Sequence, residues 1–224
     1  MPIRFDFNCD MGEGFGDWKL GLDEEVIKVI TSANVACGFH AGDPVIMRRT
    51  VGLAEAHGVG IGARTAFTTA KRLQHVKPHG ALYNMAVTGG PLGRAIGEAV
   101  LECDPSLILV ALAGSTWADE AERMGLRVAR EAFADRALMP DGTLVPRSRP
   151  GAVIHDLQQV IERSVRLVTE KTVVAISGEV VHVEADTLCL HGDTPGAVAL
   201  ASALRSALEA AGVVLAPLGA EGLG

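Results

Sequence analysis

The chain is short of positive charge. It carries 20 Lys and Arg against 27 Asp and Glu, a formal net charge of −7. Sequence-independent nucleic-acid binding needs a basic face, so this balance argues against that class. No apolar stretch approaches the ~20 residues of a membrane span. The opening Met-Pro-Ile-Arg-Phe-Asp has no apolar core of a signal peptide. Cysteine is sparse. Cys9, Cys37, Cys103 and Cys189 are far apart and form no C-x-x-C pair, which reads as reduced thiols, small core residues of a cytosolic protein. No G-x-x-x-x-G-K-[ST] phosphate loop occurs. Gly58, Gly60 and Ala63 fit G-x-G-x-x-A by spacing, but they fall inside an expected strand rather than after one. Aromatics make up 4 % of the chain. With Gly, Ala and Val plentiful, the composition is that of a compact α/β protein, and 224 residues suit one large domain.

What is present is organised around Ser32–Pro44, S-A-N-V-A-C-G-F-H-A-G-D-P. Val35 to Cys37 read as a short buried strand. Gly38 and Gly42 allow a tight turn holding His40. Asp43 then Pro44 start a helix, because an Asp carboxylate accepts first-turn N–H groups and Pro at the first position loses no hydrogen bond. That helix should end at Gly58 in a left-handed cap. Thr187 to Pro195 repeats the design: a short apolar strand, His191, Gly192, Asp193, and Pro195 opening a helix to about Ala211. Loops leaving strand C-termini are where α/β folds place chemistry.

In chain order, Ile3–Cys9 predicts a strand, with Asp10 after its end and Gly12, Gly14 and Gly16 forming a loop suited to ligand contact. Asp23–Thr31 predicts an amphipathic helix with Val26, Ile27 and Ile30 inward. Strands are expected at Gly58–Ala63, Gln74–Lys77, Leu107–Ala111, Val128–Ala132 and Val173–Ile176, with an extended piece at Glu179–Glu184. Helices are expected at Pro91–Glu102, Trp117–Met124 and Ala152–Val168. Lys77 and His79 flank a stiffening Pro78, so this strand end can hold a carboxylate or polarise a carbonyl. About seven β-then-α units imply parallel strands with right-handed crossovers. A closed or nearly closed (β/α) barrel fits best, and an open doubly wound sheet is the alternative.

Several motifs resemble the LamB/YcsF family, the A subunit of prokaryotic 5-oxoprolinase. They are N-x-D-x-G-E-x-F-G from Asn8 to Gly16, the Ser32–Pro44 stretch, V-K-P-H-G-A-L-Y-N from Val76 to Asn84, E-A-F-A-D-R from Glu131 to Arg136, L-V-P-R from Leu144 to Arg147, and H-G-D-T-P from His191 to Pro195. They run in order through nearly the whole chain. The resemblance implies one domain over residues 1–224, a distorted seven-stranded β/α barrel of the glycoside hydrolase and deacetylase type. It implies ATP-dependent opening of 5-oxo-L-proline to L-glutamate together with B and C subunits, in the cytoplasm, with homo-oligomers allowed. Asp10, Glu13, His40, Lys77 and His79 are then the catalytic candidates. Asn8, Asn34, Asp43, Arg136, Arg147, His191 and Asp193 are the substrate- or phosphate-binding candidates. Kinship with deacetylases makes Asp10, His40 and His79 the natural ligands if a divalent metal is used.

In one place the sequence departs from that pattern. After Ile61-Gly62-Ala63 the family continues through a His-Pro turn, a Gly- and Arg-rich loop and a long helix, whereas here Arg64-Thr65-Ala66-Phe67 follow at once. A parallel crossover with its helix needs roughly ten to twelve residues at least, and Thr65–Leu73 barely provides them. A break between Ala63 and Leu73, nearest Ala63–Arg64, is therefore expected, unless the segment is truly deleted. Three functions stay open: an ATP-dependent lactam hydrolase component, a stand-alone metal-dependent deacetylase or amidohydrolase, and a non-catalytic subunit that presents substrate.

Overall fold

The computed structural model describes residues 2–16, 18, 20–38, 41–64, 73–190 and 196–220. Strand β1 (Ile3–Met11) leads to a single helical turn α1 (Asp23–Val26), then β2 (Ser32–Ala36), α2 (Pro44–His57), β3 (Gly60–Arg64) and β4 (His75–Val76). Helices α3 (Gly80–Ala86) and α4 (Gly90–Cys103) precede β5 (Ile108–Leu112), α5 (Thr116–Arg123) and β6 (Arg127–Phe133). The chain closes with α6 (Leu157–Glu170), β7 (Thr172–Val174), β8 (Val180–His182), β9 (Thr187–Leu190), α7 (Ala197–Ala210) and β10 (Val213–Leu215).

The hydrogen-bonded order β1-β2-β3-β4-β5-β6-β9 returns to β1, giving a closed parallel barrel of seven strands. The seven-stranded (β/α) barrel expected from sequence is therefore the fold, and the open sheet is not. Strand β10 lies parallel to the first residues of β1, with Ile3 opposite Val213. The chain beyond it brings buried Leu218 against Ile108, Val110 and Ala129. Its backbone is tied to the first residue of β2 and to Gln74 before β4, so this apolar plug closes the N-terminal mouth of the barrel.

Strand β1 shows how the sequence divides the molecule. Phe5, Phe7, Cys9 and Met11 are buried in a cluster with Val26, Ile27 and Ala54 and with Leu204 and Leu208 of α7. The alternate residues Asp6, Asn8 and Asp10 make contacts across the barrel interior. One face of each strand thus feeds an apolar layer beneath the helices, as the two-residue period demands. Helix α2 is built as its sequence dictates: Asp43 accepts from the N–H groups of Val45 and Ile46, and Gly58 ends it at φ 67°.

Several boundaries differ from the sequence expectation. Strand β1 continues through Asp10 and Met11, because both residues pair with β2. The helix expected at Asp23–Thr31 is one turn only. It has no side-chain cap, and the Thr31 N–H is drawn to the Phe7 carbonyl to begin β2, although Val26, Ile27 and Ile30 are buried as expected. The helix expected from Ala152 starts at Leu157 with Asp156 as its cap. Ala152 is instead held by Ala137 N–H and by Arg136. Val173–Ile176 and Glu179–Glu184 form no barrel strands. Their cores pair as the antiparallel hairpin β7–β8 outside it. Helix α3 and strand β10 were not expected. The four cysteines are unpaired, but Cys103, at the exposed end of α4, is no core residue. The step at which the break was most expected, Ala63–Arg64, lies within β3, whose two residues pair in turn with Val35 and Ala36; the rest of that interval, residues 65–72, lies outside the described residues. On either side, β3 and β4 pair in parallel, Gly62 opposite His75.

Candidate active site

The barrel interior is polar. Side chains from non-adjacent strands bond to one another there, which only a path through the barrel allows. Asp6, at the lower level, is fully buried and accepts from the hydroxyls of Thr31, Ser32 and Thr187. Burial pushes its pKa up to about 6, against the pull of those three hydrogen bonds. One level higher, Asn8 donates to Thr187 at 2.6 Å and to Glu131 Oε1 at 3.2 Å, and accepts from Asn34 at 2.7 Å. Asn34 also donates to Asp10 Oδ1 at 2.9 Å, and His75 Nε2 lies 2.8 Å from Asn34 Oδ1.

Lys77 completes a ring. Its Nζ is 2.6 Å from Glu131 Oε1 and 3.4 Å from Asp10 Oδ1, with Cys189 Sγ at 3.2 Å. The cycle runs Asp10, Asn34, Asn8, Glu131, Lys77 and back to Asp10, over four strands or their ends. Lys77 is only 2 % exposed. Burial alone would lower its pKa, but Asp10 and Glu131 outweigh it and hold Lys77 above its ordinary value, so the ammonium stays charged. A buried cation between two carboxylates would be costly if either partner were removed.

The glycines of β3 find their reason here. A Cβ on Gly62 would lie 1.9 Å from His75 Nε2, and one on Gly60 would lie 2.3 Å from the Gln74 side chain. Gly60 and Gly62 open room for side chains of β4 and the residue before it.

Above the ring, at the C-terminal end of the strands, a cavity of about 430 Å³ is lined by Asp10, Glu13, Lys77, His79, Tyr83, Phe133, Arg136 and Arg147, among others. His79 Nε2 stands 3.8 Å from Asp10 Oδ2. Tyr83 packs edge-on to Phe133 and Trp117. Burial, with Glu131 nearby, raises its pKa well above the ordinary range, so the phenol keeps its proton. Neither the Tyr83 hydroxyl nor Glu131 Oε2 makes a hydrogen bond of good geometry among the described residues.

Of the candidates read from sequence, Asp10, Glu13, Lys77, His79, Arg136 and Arg147 meet at this cavity. Asn8 and Asn34 lie beneath it in the ring. Arg136 is largely occupied with structure: it donates to the carbonyls of Ala152 and Val145, and burial, with Arg147 beside it, lowers its pKa. Asp43 is away from the cavity lining. Its carboxylate accepts from Gly16 N–H and caps α2, bonds that hold its pKa below the usual range. His40, His191 and Asp193 lie outside the described residues.

Asp10 and His79 are near enough to share a ligand, but among the described residues no group of three His, Cys, Asp or Glu gathers to hold a metal. Asp10 Oδ1 already faces Asn34 and the Lys77 ammonium. Asp10 and His79 are the described members of the expected ligand set, and the third, His40, lies outside the described residues. The Lys77 ammonium is a positive charge facing Asp10 from within the barrel.

Sequence reasoning missed Glu131, His75, Tyr83, Asp6 and Thr187 as members of the site. Glu131 had a readable signal: it is an acid within the strand R-V-A-R-E-A-F, on the same face as Ala129 and Phe133 by the strand period. His75 had none, because its role depends on the glycine opposite.

Comparison with known proteins agrees with this architecture. The LamB/YcsF family profile matches residues 5–71 and 65–222. Its two stretches overlap at residues 65–71. A Pyrococcus horikoshii protein, named as the A subunit of 5-oxoprolinase, is 49 % identical over 250 aligned positions, covering 96 % of this chain and 98 % of that protein. A Syntrophobacter fumaroxidans protein of the same name is 47 % identical, covering 98 % and 100 %. The crystal structure of a lactam utilization protein from Thermus thermophilus superposes with a TM-score of 0.88 at 40 % identity, covering 96 % of this chain and all of that one. The profile takes in almost every residue, and it spans the segments that supply Asn8, Asp10, Asn34, Lys77, His79 and Glu131 to the ring and the cavity. The chain belongs to the LamB/YcsF family.

Proposed function

We propose that the chain is the A subunit of an ATP-dependent 5-oxoprolinase, a cytoplasmic enzyme that opens 5-oxo-L-proline to L-glutamate with B and C subunits. The observation that carries the reading is the Asp10–Lys77–Glu131 cluster at the floor of a cavity that also holds His79. The names of close relatives point the same way.

A lactam carbonyl is a poor electrophile because of amide resonance. Transfer of the ATP γ-phosphoryl group to the lactam oxygen gives an imidate phosphate and ADP. Water then adds to that carbon, its proton leaving to a general base. Asp10 and His79, 3.8 Å apart at the cavity floor, are the candidates for this base. The ring C–N bond breaks, the nitrogen takes up a proton and becomes the glutamate amine, and a γ-glutamyl phosphate remains. A second water releases phosphate. Lys77 and the arginine at 147 favour the negative charge that develops on oxygen. ATP is a co-substrate on this reading. With no conventional phosphate loop in the chain, its site is of another kind or shared with a partner.

The test is glutamate release from 5-oxoproline by the purified chain, with and without ATP and with candidate B and C subunits. Release that requires ATP and the partners is expected. Release by the chain alone, without ATP but with an added divalent metal, would favour the amidohydrolase reading instead.

A further inference from the structure

We propose that His75 and Asn34 are positioning residues for Asp10, with His75 held as the neutral tautomer protonated on Nε2. Calling Asp10 catalytic rests on the function proposed above, whereas the hydrogen-bond order does not.

The order follows from the two carboxylates. Glu131 and Asp10 accept hydrogen bonds and, when ionised, cannot donate them. Asn34 therefore turns its NH2 toward Asp10 Oδ1, at 2.9 Å, and toward Asn8 Oδ1, at 2.7 Å. Flipping Asn34 would set its oxygen against both acceptors. Asn8 is fixed likewise, because its NH2 faces Glu131 and Thr187. Only the oxygen of Asn34 remains for His75, so the imidazole nitrogen 2.8 Å away must carry a proton. Burial, with the nearby Lys77 charge, lowers the His75 pKa to about 3. The ring is thus neutral, with its single proton on Nε2, where Asn34 Oδ1 is 2.8 Å away; Gln74 Oε1, at 3.4 Å from Nδ1, is the more distant and weaker acceptor. His75, Asn34 and Asn8 are essentially inaccessible to solvent, so no water competes for these bonds. Gly62 admits the ring: any Cβ there would overlap Nε2. A histidine that never touches the cavity thereby aims the amide that holds its carboxylate.

The test combines spectroscopy and kinetics. Long-range proton–nitrogen NMR of the intact, histidine-labelled protein should show one imidazole with a protonated Nε2 and a bare Nδ1 across about pH 5 to 9, where a free imidazole would titrate. Loss of that signal in His75→Gln identifies it among the seven histidines. A His75 signal that titrates near the ordinary histidine value, or one protonated on Nδ1, overturns the proposal.

In glutamate release with ATP and the partner subunits, His75→Leu should lose about a hundredfold in kcat with KM little changed, as expected when a reacting group is misplaced. His75→Gln should stay close to wild type, since its amide can donate from the Nε2 position. Equal losses in both folded variants overturn the proposal, as does a crystal structure of His75→Leu with Asn34 and Asp10 unmoved. Absence of glutamate from the wild-type assembly overturns the catalytic reading, while the tautomer and the variant structure still decide the positioning claim.

Discussion

The two faces of the barrel wall are built to opposite rules. The outer face carries Phe5, Phe7, Cys9 and Met11 on β1 and packs on helices through apolar contact. The inner face of the same strand carries Asp6, Asn8 and Asp10, each committed to specific hydrogen bonds. Branched aliphatic residues are the usual filling of a β/α barrel. Here, among the described residues, they gather at the plug around Leu218. The outer layer is nondirectional and tolerates substitution of similar volume. The inner one fixes where each proton and charge sits, and it ends at a cavity. Stability and chemistry thus occupy alternate residues of one strand.

The sharpest way to break this division is a pair of truncations. Phe7→Ala should cost about 3–5 kcal/mol of stability through the cavity it leaves, while per-molecule activity of the folded fraction survives. Lys77→Met should cost a similar 3–5 kcal/mol by stranding Glu131 without its cation, and abolish activity. Adding Glu131→Leu to Lys77→Met should recover most of the stability, because an apolar pair of similar volume replaces the ion pair, without recovering turnover. Chemical denaturation alongside glutamate release separates the two outcomes. Recovery of both would mean that the polar interior serves packing alone.

The pH dependence sharpens the comparison further. Asp6 has a folded-state pKa of about 6 against a reference of 3.8. A carboxyl raised on folding favours the native state most when protonated, so its contribution is full below the unfolded value and lost as pH rises through about 6. The shift corresponds to about 3 kcal/mol. Asp6→Asn, measured against wild type by denaturation, should therefore gain in relative stability by about that amount between pH 4 and pH 7. A pH-independent difference would place Asp6 in a more hydrated setting.

A smaller effect is expected at Gly62. Gly62→Ala forces a methyl group into the His75 ring position, costing about 1–3 kcal/mol by overpacking and a larger share of kcat. At the far end of the scale, Arg49→Ala removes a solvent-exposed ion pair with Glu24. It should leave both melting temperature and turnover unchanged, because exposed pairs contribute little.

The difference between the faces also explains what could be read from the sequence. Repeated strand–loop–helix units announced a parallel barrel, and Asp43-Pro44 and Gly58 marked both ends of α2, since these are local effects. Asp10, Lys77 and His79 were recognisable as polar groups at strand ends. Asp6, His75 and Glu131 were not, because a buried polar residue declares itself only through partners on other strands, up to 181 positions away for Thr187 and Asp6. The β7–β8 hairpin was misread for a related reason: a short continuous apolar run such as Val173–Ile176 looks alike in a barrel and in a hairpin outside it. The late start of α6 followed from Arg136 holding the Ala152 carbonyl, again a long-range bond.

The most direct test of the account is turnover in Asp10→Asn, which keeps the size of the side chain and removes the charge that faces Lys77 and His79. With ATP and the partner subunits present, glutamate release per folded molecule should fall at least about a hundredfold, with a lowered melting temperature because Lys77 loses one of its two carboxylate partners. Release at the wild-type rate would contradict the account, since the inner face would then be a structural filling and the chemistry would lie elsewhere.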